Sequence, residues 1–243
     1  MLLTMRLRSV LPLGLLAVSA LALAAQAMTL KWTPKTGDKM TYKVTGTFDL
    51  AALGGEIKLT GTQAEEVKSV DADNIVVANT SKMTANAMGN EIPVPEATET
   101  VTTKLDGTVT EVKVNDAVAT GSAMRLARVT MFIWPSKPVA VGDSWTAEGT
   151  KDEKADVPGY KIDFKLVGDE KVDTFDTWKV SVEGGETEGE TKTKISGTVW
   201  IDKKDGSVVK SLSKLTDAVF PGSANAGVEI PPLSGTMEIV RQP

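Results

Sequence analysis

Lys39-Met40-Thr41-Tyr42-Lys43-Val44-Thr45-Gly46-Thr47-Phe48 decides how this chain folds. Its even positions are apolar or small, and its odd positions are lysine or threonine. Successive side chains of a strand point to opposite faces of a sheet, so this period of two predicts a strand with one buried and one wet face. Tyr160, Ile162, Phe164, Leu166 and Gly168 alternate in the same way with Lys161, Asp163 and Lys165. Similar runs follow Glu56, Ile75, Thr98, Ser144, Trp178, Thr191, Ser207 and Leu233. Together they predict about ten or eleven strands, mostly antiparallel and covered on one side.

Turn residues separate the runs. Asp106-Gly107 and Asp205-Gly206 are hairpin dipeptides, because glycine accepts the positive φ of a tight hairpin. Gly54-Gly55 and Asp71-Ala72-Asp73-Asn74 also read as turns. Gly184 to Glu190 (GGETEGE) is acidic and glycine-rich, and reads as a mobile tip with nothing to bury. Asn115 to Met131 breaks the alternation. Val118, Met124, Ala127 and Met131 share one helical face, and Arg125 and Arg128 another, so a helix is expected over 115–131, capped by Asn115 or Asp116. Lys82 to Pro95 and Pro221 to Pro232 read as irregular segments covering the sheet.

Thr36-Gly37-Asp38-Lys39-Met40-Thr41 is echoed by Val141-Gly142-Asp143-Ser144-Trp145-Thr146. Glu65 to Asp71 is echoed by Glu170 to Asp176, and the hairpin at Asp106-Gly107 by that at Asp205-Gly206. The expectation is one β domain over 28–243 with an internal pseudo-duplication, its halves spanning about 36–114 and 141–219.

The first 27 residues read as a secretory signal peptide. Arg6 and Arg8 precede an apolar run from Val10 to Ala24, and Ala25-Gln26-Ala27 is a small-residue cleavage site. The run is shorter than the roughly 20 residues of a spanning helix. The expected location is therefore periplasmic or extracellular, without a transmembrane segment after cleavage. Loss of Arg6 and Arg8 takes the formal charge from −5 to −7, which disfavours nucleic acid as a partner. The chain has no cysteine and no histidine. That removes disulfides, a lipid-bearing cysteine, the commonest zinc ligand and every nucleophile arrangement built on histidine.

After the helical segment comes Phe132-Ile133-Trp134-Pro135-Ser136-Lys137-Pro138-Val139-Ala140-Val141-Gly142-Asp143-Ser144-Trp145. This run resembles an uncharacterised family of secreted bacterial proteins similar in outline to the lipoprotein-localisation (LolA/LolB-type) half-barrels. The resemblance implies a curved antiparallel sheet around an apolar concavity, lidded by helix and loops, with a lipid or lipoprotein as partner. That family's gating arginine has no assignable counterpart among Arg125, Arg128 and Arg241. The motif also has a purely structural reading: the prolines hold extended chain, Gly142-Asp143 turns it and Trp145 anchors the next strand.

Parity then selects a candidate concavity of Tyr42, Val44, Phe48, Ile57, Leu59, Trp145, Tyr160, Ile162, Phe164 and Trp178, with Met83, Met88, Met124 and Met131 as candidate lid residues. Trp200 falls on the opposite face. Glu65 shares the parity of Ile57, Leu59 and Val67 and so points inward, but no recognisable carboxylate pair or metal motif accompanies it. No cofactor or metal is expected. Arg125 and Arg128 are candidates for an acidic headgroup or partner, or simply an exposed helix face. The leading expectation is a non-catalytic exported protein binding a lipid, acyl chain or lipoprotein segment. A structural envelope protein with a packed core and a carboxylate-dependent hydrolase are the alternatives.

Overall fold

The computed structural model describes residues 27–50, 55–87, 89–119, 121–220 and 231–243. The leader, Met88 and most of the Pro221 to Pro232 segment lie outside them. The strands are β1 (Lys39–Leu50), β2 (Gly55–Val70), β3 (Asn74–Ala87), β4 (Asn90–Pro93), β5 (Ala97–Lys104), β6 (Val109–Val114) and β7 (Ala117–Val118). The helix α1 (Ser122–Thr130) follows. Then come β8 (Ser144–Gly149), β9 (Tyr160–Val172), β10 (Phe175–Glu186), β11 (Lys194–Asp202), β12 (Val208–Ala218) and β13 (Leu233–Arg241).

All thirteen strands form one curved, open antiparallel sheet in the order β7-β6-β5-β3-β2-β1-β13-β12-β11-β10-β9-β8, with β4 pairing β3. The chain makes two meanders. The first spreads outward from β1; the second starts at the far edge with β8 and returns until β13 pairs β1. β7 and β8 lie at opposite edges of the sheet, so the link between them must cross one of its faces. α1 makes that crossing and touches β6 on one limb and β9, β10 and β11 on the other.

Close approach of backbone allows the curvature. A Cβ added at Gly61 would lie 2.1 Å from the Lys82 carbonyl oxygen, so neighbouring strands there leave no room for a side chain. The alternation at Lys39–Phe48 holds: Met40, Tyr42, Val44 and Phe48 are buried, and Lys39, Thr41 and Lys43 are exposed.

Three local expectations are corrected. Asn115 (φ 50°) and Asp116 (φ 66°) form a left-handed two-residue turn between β6 and β7, a conformation these side chains tolerate, so the helix begins only after Gly121. Lys82 to Pro95 is largely a hairpin: β3 runs on to Ala87 and β4 returns beside it, pairing Thr84 with Pro93. Its small and polar side chains hide the alternation. The GGETEGE stretch does bury something: Gly184, Gly185 and Glu186 end β10, and the Glu186 side chain is 1% exposed.

Glu186 is buried because Arg125 reaches it. The guanidinium donates from Nε and Nη2 to the two carboxylate oxygens, both at 2.7 Å, and Nη2 also donates to the Thr191 carbonyl. The Thr193 amide donates to Glu186 Oε2 at 2.7 Å. This fork pins α1 to the second meander. Arg128 lies over the Tyr160 ring at 5.0 Å and donates to the Thr150 carbonyl, so both arginines hold the fold rather than stand free.

The echoed segments have matching geometry. The Lys35 amide donates to Asp38 Oδ2, Gly37 to the Val67 carbonyl, and Val67 to the Asp38 carbonyl. Ala140, Gly142 and Leu166 repeat these bonds around Asp143. The hairpins then exchange partners between meanders. The Thr33 amide donates to the Asp205 carbonyl, and the Trp134 amide donates to the Asp106 carbonyl, both at 2.9 Å. Trp32 and Trp134 stack where the two docking segments meet, with ring centroids 5.8 Å apart.

Removing one member of the Arg125–Glu186 pair strands a buried charge. Arg125→Met is expected to cost about 3–5 kcal/mol in urea unfolding. In Arg125→Met/Glu186→Gln the amide oxygen still accepts from Thr193, and most of that loss should be recovered. Equal losses in the single and double variants would contradict the assignment.

Candidate functional site, a polar-walled cavity beneath the helix

The concave face is filled at one end and hollow towards the other. On the second meander, Phe132 packs edge-on against Phe164, Trp145 and Trp134, and Trp145 stacks on Phe164 at 5.4 Å. Tyr160, Ile162, Phe164, Leu166, Val180 and Ile201 complete a closed core. The crossing segment after α1 supplies the side chains that fill this end.

Between α1 and the middle strands lies a cavity of about 310 Å³, and a smaller space of about 80 Å³ adjoins it beneath Trp32 and Trp134. The helix contributes Ala123, Leu126, Ala127 and Thr130 to the larger cavity's wall. Val44, Met83, Met131, Met237 and Ile239 make the apolar floor and sides. Val101, Phe132, Val199 and Val208 add to the apolar wall, and the rest is polar. Glu65 on β2 pairs in register with Asn79 on β3, and Asn79 with Glu99 on β5. Alternation keeps all three on the concave face, so they form one row across three strands. Gln63, Ser211 and Ser213 lie near them.

This row is short of partners. Asn79 Oδ1 is buried and accepts no hydrogen bond. Burial pushes the Glu65 carboxyl up to about 7, against the opposing pull of the Arg241 guanidinium. Burial also raises Glu99. Arg241 is held by Ser207 Oγ at 2.9 Å and lies 3.7 Å from an Asp202 carboxylate oxygen, so it does not neutralise Glu65 by direct contact. Tyr42, whose hydroxyl donates to the Val208 carbonyl at 3.1 Å, is driven strongly upward by burial and stays neutral. Side chains with shifted titration inside a cavity mark a candidate site.

The structure distributes the expected concavity residues unevenly. Tyr42 and Val44 line the cavity. Phe48, Tyr160, Ile162 and Phe164 are inside the closed core, while Leu59, Trp145 and Trp178 pack at its margin. Ile57 is half-buried. The Trp145 indole donates to the Ile133 carbonyl at 2.8 Å, and Lys203 covers the Trp178 ring at 4.0 Å. Of the expected lid residues, Met83 and Met131 line the cavity. Met83 does so from a strand rather than a loop, and Met124 is buried against β5 and β6. Trp200 lies on the outer face between Lys179 and Lys210. Asn79 and Glu99 went unnoticed in the sequence. Their parity with Ile75 and Val77, and with Val101 and Thr103, marks them as inward, but only the register brings them beside Glu65.

A depression of about 460 Å³ near Gly184 and Gly185 is lined by Lys161, Asp163, Glu183, Lys194 and Lys214. These exposed opposite charges read as a solvated sheet face. Among the described residues, no group of three or more Asp or Glu could hold a metal ion, and no helix is long and apolar enough to cross a membrane.

The Glu65 shift has a consequence for stability. An unfolded glutamate titrates near its ordinary 4.5 and the folded one near 7. The folded state therefore binds the extra proton between those values, and this contribution to stability falls as pH rises from 4.5 to 7. Glu65→Gln should remove that part of the pH dependence and stabilise the protein at pH 8 by about 1–3 kcal/mol. An unchanged difference in stability between pH 5 and pH 8 would contradict burial of Glu65.

No protein-family model and no curated protein matches the chain. Among solved structures, the chain is similar to a Bacteroides fragilis NCTC 9343 protein with a YmcC-like fold that is taken to be exported. That match has 13% identity, covers 88% of this chain and 98% of the other, and has a TM-score of 0.32. A likeness at that level carries no argument about fold or function.

Proposed function

We propose that this is an exported, non-catalytic binding protein that holds an apolar molecule, or an apolar segment of one, in the cavity beneath α1. The observation that carries the reading is the unequal filling of one continuous sheet. Large aromatic and aliphatic side chains close the concave face at one end, while small helix residues and methionines leave about 310 Å³ unfilled beside it. That volume is at the low end of small-molecule sites, roughly 300–1,000 Å³. Methionines suit a wall that adapts to its occupant.

The leader-like N-terminus supports export, and the half-barrel supports the likeness to lipoprotein-localisation proteins in outline. The repeated turns support descent from a duplicated half, one copy now a packed anchor and the other opened as a site. Glu65 and Glu99 also favour a second reading, carboxylate-dependent hydrolysis, because both resist ionisation inside a cavity.

Native mass spectrometry of the protein purified from its own envelope fraction without detergent tests the binding reading. A stoichiometric adduct is expected, and it should disappear in Ala127→Phe, which fills the cavity from the helix. A clean protein mass, or an adduct indifferent to Ala127→Phe, would overturn the reading. Hydrolysis predicts instead a product released by the wild type and not by Glu65→Gln.

A further inference from the structure

We propose that the cavity selects a small amphipathic amine, its chain against α1 and its protonated ammonium bonded to Glu65, Asn79 and Glu99. The inference rests on the binding reading above and adds the chemistry of the ligand's head.

The argument begins with acceptors. Carboxylates and an amide oxygen make one row on three adjacent strands. Asn79 Oδ1 is buried without a donor. Among the described residues no hydrogen bond or ion pair engages the Glu65 carboxylate, which is half-buried at the cavity wall. Buried polar groups in folded proteins are almost always satisfied, so unsatisfied acceptors facing a cavity are complementary to a donor that enters it. An ammonium has three donors and no acceptor, and a hydroxyl only one. A carboxylate ligand would meet like charge.

The surroundings agree with a cation. The titratable groups facing Glu65 are Tyr42 from β1, Glu99 from β5 and Arg241 from β13, with Asp205 beyond Tyr42. Arg241 is already engaged by Ser207 and Asp202. The helix presents only apolar residues and Thr130, and β12 presents Val208 and two serines. Among the described residues, none of these side chains donates a hydrogen bond to Glu65 or to Asn79 Oδ1. Size limits the rest of the ligand. With a water's share of liquid volume near 30 Å³, the cavity holds about ten water equivalents. That suits a single short chain and not a two-chain lipid.

Octylammonium, 1-octanol and octanoate share a chain and differ in the head. Isothermal titration of the purified protein at pH 8 should give octylammonium about tenfold or more tighter binding than octanol, with octanoate weakest. Octylammonium stays charged from pH 5.5 to 8, whereas Glu65 must lose its proton to receive it. Its affinity should therefore fall by up to about tenfold per unit below pH 7. Glu65→Gln should flatten that slope and cut the preference for the amine over octanol. Thermal unfolding of the variant confirms that it is folded.

Equal affinity for the three probes, or a pH slope that survives Glu65→Gln, would overturn the amine assignment and leave the binding reading standing. Absence of binding by every probe, together with no adduct in the native protein, would overturn both.

Discussion

A curved sheet with two open ends must cover its concave face, and among the described residues one short helix crosses it. The strand order puts β7 and β8 at opposite edges, and the link between them crosses that face. The Arg125–Glu186 fork fixes where the crossing runs, because a buried carboxylate with a bidentate partner has few alternative positions. Once α1 is pinned to the second meander, Phe132, Ile133 and Trp134 drop into the adjacent concavity and close it. The opposite side of the helix is left with alanines and a leucine facing β1, β2, β3 and β5. The hollow follows from the size of those side chains.

The hollow is costly where it is polar. An unpaired, half-buried carboxylate and an orphan amide oxygen destabilise a folded chain, and neither contributes to closing the sheet. The paired aspartate turns and the Glu186 network satisfy their polar groups, whereas Asn79 Oδ1, Thr103 Oγ1 and Trp200 Nε1 are buried without a partner. The violation at Asn79 lies beside Glu65 and Glu99 in a cavity wall, and a cluster of that kind marks a site where binding rather than stability is served.

Much of the architecture was legible in the residues. Lys39 to Phe48 and Tyr160 to Leu166 announced strands and their buried faces, because alternation is a local property, while the curvature was expected only from the resemblance carried by Phe132 to Trp145. The matching Gly-Asp turns were legible for the same reason. What escaped depended on distance along the chain. Glu186 looked solvated because its partner lies 61 residues away. Asn115 and Asp116 looked like a cap until pairing of β6 with β7 made them a turn. Parity placed Glu65 inward, yet it gave no reason to join Glu65 to Asn79 and Glu99. It also could not distinguish inward residues that line space, such as Tyr42 and Val44, from those that fill it, such as Phe48 and Phe164, since that depends on what crosses above them.

The most direct measurement is a crystal structure of the protein purified from its own envelope fraction without detergent. The account predicts ordered non-protein density beneath α1, with a polar atom within hydrogen-bonding distance of Asn79 Oδ1 and Glu65. A cavity closed by Met83 and Met131, with Asn79 and Glu65 satisfied by protein groups, would contradict it.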